Sequence, residues 1–271
     1  MNKVRESIHL THFSRSTETS YCYYIVDFIR FHRYEHPQNM GAEEVKAYLS
    51  HLAMNKQVAA STQNVAFAAL LFLYQTVLEQ PFGELANVVR AKRSKHIPTV
   101  LSQKEVRSLL GYASGRNGLV LKLLYGTGMR LMEALRLRVK DIDFDYKSIN
   151  IHDAKGKKGR ITVLPESLIE PLRTQLKYSC SLYEQDLESG IVNVPMPTAI
   201  AKKYPEAAKT WRWQYVFASN TMSVDPRSGM IGRYHLHRKT VQRSMQKTVA
   251  AVGIEKKASC HTLRHSLLRI C

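Results

Sequence analysis

The chain has 271 residues, 44% hydrophobic and 23% charged, with 40 Lys plus Arg against 22 Asp plus Glu and a formal net charge of +18. That length accommodates two domains, each with its own core, and a positive excess spread along the chain rather than held in a tail points to a polyanionic partner, nucleic acid ahead of a membrane or an acidic protein. The opening MNKVRESIHL has no apolar signal core, the longest greasy stretch runs only from Ala66 to Leu78, and cysteines at 22, 180, 260 and 271 lack metal spacing; these features exclude a signal peptide and a membrane span and suit free thiols in a reducing cytoplasm.

In chain order, residues 16 to 78 read as helices. Tyr24, Ile25, Phe28, Ile29 and Phe31 recur at helical spacing, Val45, Tyr48, Leu49 and Leu52 do so again, and STQNVAFAALLFLYQTVL opens with Ser61 as a cap. The expectation is a small all-helical bundle. After the breakers at Gln80 to Gly83 comes VVRAKRSKHIP, whose Arg90, Lys92, Arg93 and Lys95 suit a strap along phosphates, or a solvated connector. Ser102 and Glu105 then form a capping box that opens a second unit. Within it, SINIHD and RITVL alternate as strands around the lysine-rich turn AKGKKG, which predicts a hairpin with a cationic tip formed by Lys155, Lys157 and Lys158. The fold class expected is mainly α with a small antiparallel β-sheet.

Three segments carry groups suited to chemistry. In LLYGTGMRLMEALRL a helix is expected to break at Gly126 and Gly128 and another to begin near Met129, with Arg130 in its first turn and Glu133 three residues on, placed to hold the guanidinium. No P-loop is present, because the Lys-Ser/Thr pair is missing. HTLRH sets His261, Arg264 and His265 on one helical face; no third metal ligand or HExxH glutamate accompanies the histidines. Two arginines, a hairpin lysine and a histidine suit metal-independent attack on a phosphodiester, in which guanidinium forks neutralise the non-bridging oxygens and a lysine or histidine protonates the departing sugar oxygen. A metal-dependent nuclease would need a carboxylate cluster that the sequence lacks.

GTGMRLMEALRL, AKGKKGRITVLP and HTLRH, in that order, resemble the tyrosine recombinases of the lambda-integrase type. STETSYCYYIVDFIRFH, ASTQNVAFAALLFLY and KKYPEAAKTWRWQYVFASNTMSVDPRSG are similar to the integron integrases, the last being that subgroup's extra segment. The resemblance implies a core-binding, SAM-like helical domain over 1–88, a basic linker over 89–98, and an α+β catalytic domain over 99–271 with an insertion at about 191–233. It implies Arg130, Lys155, His261 and Arg264 as catalytic groups, Glu133 as their acidic support, and Lys157 as a rival to Lys155. Trp213, Pro226 and His235 would form a platform for bases extruded from a folded single-stranded recombination site, although Trp211, Trp213, Tyr215 and Phe217 also suit a core. Implied partners are DNA and other recombinase protomers, with no membrane and no cofactor or metal.

The sequence departs from the family at its end. The nucleophilic tyrosine of the family lies well beyond HxxR, whereas here the last tyrosine is Tyr234. The tail SLLRIC is expected to arise by a single-base deletion at Leu267 that shifts the frame out of a Ser-Phe-Ala-Thr-His reading. The chain is therefore expected to be a truncated, catalytically inactive integron integrase, with a non-cleaving DNA-binding module as the alternative.

Overall fold

The computed structural model describes residues 1–80, 97–152, 159–196, 198–225 and 229–270. The chain forms two compact units, Met1–His96 and Ile97–Cys271. Among the described residues, no helix is long and apolar enough to cross a membrane.

The first unit contains α1 (Asn2–Leu10), α2 (Arg15–Phe31), α3 (Ala42–Met54) and α4 (Ala60–Phe72), which continues as a π-turn over Leu73–Val77. Ser14 caps α2 by accepting from the Thr17 N–H. The α4 helix is apolar nearly all round and packs on both α2 and α3, as a central helix must. Ile25, Phe28, Val45, Tyr48, Leu52 and Leu70 fill the core. The expected cap at Ser61 is not used. The helix starts two residues earlier, with Ala59 as N-cap and its carbonyl accepting from Thr62 and Gln63.

The second unit is built around α6 (Gly115–Thr127), in which Leu119, Val120, Leu121, Leu123 and Leu124 are all buried. Around it pack α5 (Gln103–Tyr112), α7 (Leu131–Leu135), α8 (Ile169–Glu188), α10 (Arg238–Ala251) and α11 (Cys260–Ile270). The short α9 spans Thr198–Lys203. Ser102 and Glu105 form the expected capping box. One antiparallel sheet has the order β1 (Ile142–Asp143), β2 (Ser148–Ile151), β3 (Arg160–Val163), and a second pairs β4 (Ala218–Val224) with β5 (Ile231–His235). Thus the architecture is mostly helical with small antiparallel sheets.

The register of β2 and β3 places Ile151 opposite Arg160. The turn with Lys155, Lys157 and Lys158 lies outside the described residues, as do Arg90, Lys92, Arg93, Lys95 and Pro226.

Candidate nucleic-acid interface and arginine cluster

The break between α6 and α7 sets the site. Gly126 does not contribute to it; this residue stays helical, and its missing side chain lets Pro165 approach to where a Cβ would lie 2.9 Å from Pro165 Cγ. The chain turns at Gly128, which adopts the left-handed conformation at φ +63°. Arg130 follows in extended backbone as the N-cap of α7, one position before the first turn in which the sequence pattern placed it. Its own N–H is therefore available to a side chain, and Glu133 accepts from it through Oε2 at 2.9 Å.

Glu133 is the hub. Its Oε1 accepts from Arg130 Nη1 at 2.7 Å and from Arg160 Nη1 at 3.2 Å, and Oε2 also accepts from Arg160 Nη2 at 2.6 Å. Burial works against its charge, yet the Arg160 hydrogen bonds and then the Arg130 N–H and guanidinium outweigh burial and hold the carboxyl at about 2. Arg264, on α11, donates through Nη1 to the Gly128 carbonyl at 2.6 Å. Burial, followed by the positive charges of Arg130 and Arg160, lowers the Arg264 pKa. The structure therefore brings Arg130, Arg160 and Arg264 together around one ionised carboxylate, with two of the guanidiniums coming from segments remote in sequence.

His261 lies one turn before Arg264 and is exposed. It lines a separate cavity of about 340 Å³ with Leu131, Lys239 and Arg243. The buried face of α11 is carried by Leu263 and Ser266, the latter accepting from the Leu101 N–H at 2.9 Å. Among the described residues, no three His, Cys, Asp or Glu gather as a metal site.

A cavity of about 420 Å³ opens beside Arg130 and Glu133, lined also by Arg138, Lys140, His152, Trp213 and Tyr215. Its floor is fixed by the backbone, since Val216 N–H donates to Leu137 O and Val139 N–H to Gln214 O. Arg138 spans the gap, donating to the carbonyls of Trp213 and Pro195 at 2.6 Å each while lying 5.2 Å from the Trp213 ring centre and 4.7 Å from that of Tyr215. Lys140 Nζ sits 4.3 Å from the Trp213 ring centre. His235 meets Tyr215 edge to face at 5.3 Å. Its Nδ1 faces the Leu236 carbonyl at 2.9 Å, an acceptor that places the proton on Nδ1, and burial leads the causes that lower its pKa. The aromatic run divides: Tyr215 and Phe217 are core, while Trp211 and Trp213 are half-buried.

Residues 1–84 match the phage integrase N-terminal SAM-like domain, and residues 99–270 match the phage integrase family. The chain belongs to the phage integrase family of tyrosine recombinases. An integrase/recombinase from Escherichia coli is 44% identical over 266 residues, covering 98% of this chain and 79% of that relative, and one from Pseudomonas aeruginosa matches to the same extent. Among solved structures similar to this recombinase-family chain, a lambda integrase(75-356) dimer bound to a COC' core site has a TM-score of 0.60 at 16% identity, covering 99% of this chain and 88% of that one. XerH bound to a palindromic difH substrate has a TM-score of 0.57 at 19% identity, covering 92% and 67%. These two likenesses concern the fold.

Arg160 is the site residue that sequence reasoning missed. It stands in plain view as the first residue of RITVL, directly after the lysine turn, but its partner is 27 positions away in the chain, and no local spacing connects the two.

Proposed function

We propose that this chain serves site-specific DNA recombination of the integron type, in which gene cassettes are inserted and excised by metal-independent transesterification at a phosphodiester. The observation that carries the reading is the cluster of three guanidiniums around the ionised Glu133. Arg130 and Arg264 would hold the non-bridging oxygens. As an attacking oxygen bonds to phosphorus and the bond to the sugar oxygen breaks, Lys155, or its rival Lys157, would give that leaving oxygen its proton, with His261 assisting from the helix turn before Arg264. Residues 1–88 and 99–271 would each contact DNA, in the company of further recombinase protomers and in the cytoplasm. The DNA and dimer named for the lambda integrase and XerH structures support that choice of partners.

The integron reading would assign the segment at about 191–233, and the strand that follows it, to recognition of extruded bases. Trp213 lines the 420 Å³ cavity under Lys140, a setting suited to stacking an extruded base between an aromatic face and cations; His235, packed behind Tyr215, and Pro226 would complete the platform. The second reading is a non-cleaving, site-occupying DNA binder, since a cluster of guanidiniums neutralises phosphate whether or not a bond is broken.

The test pairs a gel shift on folded single-stranded and duplex sites with a nicked suicide substrate. Expected are retention of DNA that weakens steeply with salt and tighter retention of the folded strand. A covalent adduct would exclude the non-cleaving reading, and loss of all salt-dependent binding would overturn the recombination reading.

A further inference from the structure

The three arginines of the cluster do not do the same work. Arg160 commits both terminal nitrogens to Glu133, one on each carboxylate oxygen. Arg130 commits only Nη1 to that carboxylate, and Arg264 commits only Nη1 to the Gly128 carbonyl. Among the described residues, Nε and Nη2 of Arg130 and of Arg264 meet no other acceptor, so each keeps a fork for an oxyanion.

Arg160 also occupies a distinctive place in the chain. It opens β3 and pairs with Ile151, the last residue of β2. Two residues on, and on the same face of the strand, Thr162 donates to the Thr127 carbonyl at 3.1 Å. Consequently β3 is fastened to the α6–α7 break on both sides of Arg130, through Thr127 before it and Glu133 after it.

Taking the reading of Arg130 and Arg264 as the phosphate-holding pair, we propose that Arg160 is a positioning residue whose bidentate fork fixes the Glu133 carboxylate in one orientation, aims Arg130 at the phosphate, and ties the base of the lysine hairpin to the same carboxylate. The physical reason is competition. With Arg160 removed, Glu133 is free to rotate and take Arg130 as its own bidentate partner, drawing into the ion pair the nitrogens that the substrate needs. An ammonium in place of the guanidinium restores charge but cannot span two carboxylate oxygens.

The experiment uses the 271-residue chain and orthovanadate, a tetrahedral oxyanion that also accepts five-coordinate geometry, with the arginine Nε–Hε and Glu133 carboxyl resonances followed by NMR. In the unmodified protein, vanadate should shift Arg130 and Arg264 and leave Arg160 unmoved. Arg160→Gln should weaken vanadate binding about tenfold, the scale of one charge-assisted contact, and raise the Glu133 titration midpoint by about one pH unit or more. Arg160→Lys should recover less than about threefold of that loss. If Arg160→Gln does not fold, the comparison of Arg160→Lys with the parent carries the same test.

Vanadate affinity unchanged in both variants, full recovery by lysine, or a vanadate-dependent shift of Arg160 itself would overturn the positioning role. Failure of the phosphate reading looks different, since then no arginine resonance of the unmodified protein responds to vanadate, and the proposal falls with it.

Discussion

Replacing Glu133 by glutamine removes the negative charge on which the arginine cluster is organised. The side chain is 8% exposed and accepts four hydrogen bonds, two from Arg130 and two from Arg160. Glutamine keeps one acceptor oxygen and turns an NH₂ toward guanidiniums that are themselves donors. The gap between an ordinary glutamate near pKa 4.3 and the value of about 2 held here corresponds to about 3 kcal/mol of native-state preference for the ionised form. Breaking a buried pair from one side costs about 3 to 5 kcal/mol, and the 37% and 33% exposure of the Arg130 and Arg160 side chains favours the lower end. The expected loss is therefore about 3 kcal/mol at pH 7. The sign with pH follows from a depressed carboxyl: its contribution is complete above the unfolded pKa and is lost as pH falls toward the folded value, so the deficit of Glu133→Gln should shrink by about 1.7 kcal/mol at pH 3. Both tryptophans, Trp211 and Trp213, lie in the second unit, so tryptophan fluorescence in a urea titration reports that unit alone. A deficit below about 0.5 kcal/mol, or one that does not change between pH 7 and pH 3, would refute the hub role.

Three further outcomes test the fold around the site. Gly128→Ala must adopt φ +63° and brings a Cβ to 3.2 Å from Leu267 Cδ2; the same urea titration should show a loss of about 1 to 2 kcal/mol from the backbone alone, whereas an unchanged midpoint would mean the turn relaxes freely. Arg233 forks onto Asp186 with both side chains nearly buried, so Arg233→Met should cost about 3 to 5 kcal/mol by stranding the carboxylate. Adding Asp186→Leu should return most of it, and a double variant as unstable as the single one would contradict that cause. In the first unit, Tyr48 donates to Asp27 at 2.7 Å beside Lys56, so Tyr48→Phe should lower its melting transition, followed by far-ultraviolet circular dichroism, by about 1 to 2 kcal/mol; no change would assign the carboxylate to Lys56 alone.

Local spacing makes part of this site legible, and distance in sequence hides the rest. Arg130 and Glu133 stand three residues apart, so their pairing is readable in the sequence alone, as is the helical face shared by His261 and Arg264. The capping box at Ser102 and Glu105 is readable for the same reason. Where a residue has two possible uses, the pattern misleads. Gly126 reads as a breaker but is a packing glycine under Pro165, and Ser61 reads as a cap although the helix begins before it. Arg160 and Arg138 stay invisible because their partners lie 27 and 75 residues away. A strand arginine with alternating neighbours gives no sign of whether it meets water or a carboxylate.

The charge count within the cluster bears on why an acidic residue should sit among phosphate-binding arginines at all. Three guanidiniums set against Glu133 leave two positive charges. On the proposed function, a bound phosphodiester brings one negative charge and the five-coordinate transition state gathers more on its non-bridging oxygens, so a pocket more positive than the diester is negative favours the transition state over the substrate. Glu133 also consumes the fork of Arg160, which leaves the free donors to Arg130 and Arg264. Seen this way, the carboxylate sets both the amount of positive charge in the pocket and the direction from which it acts.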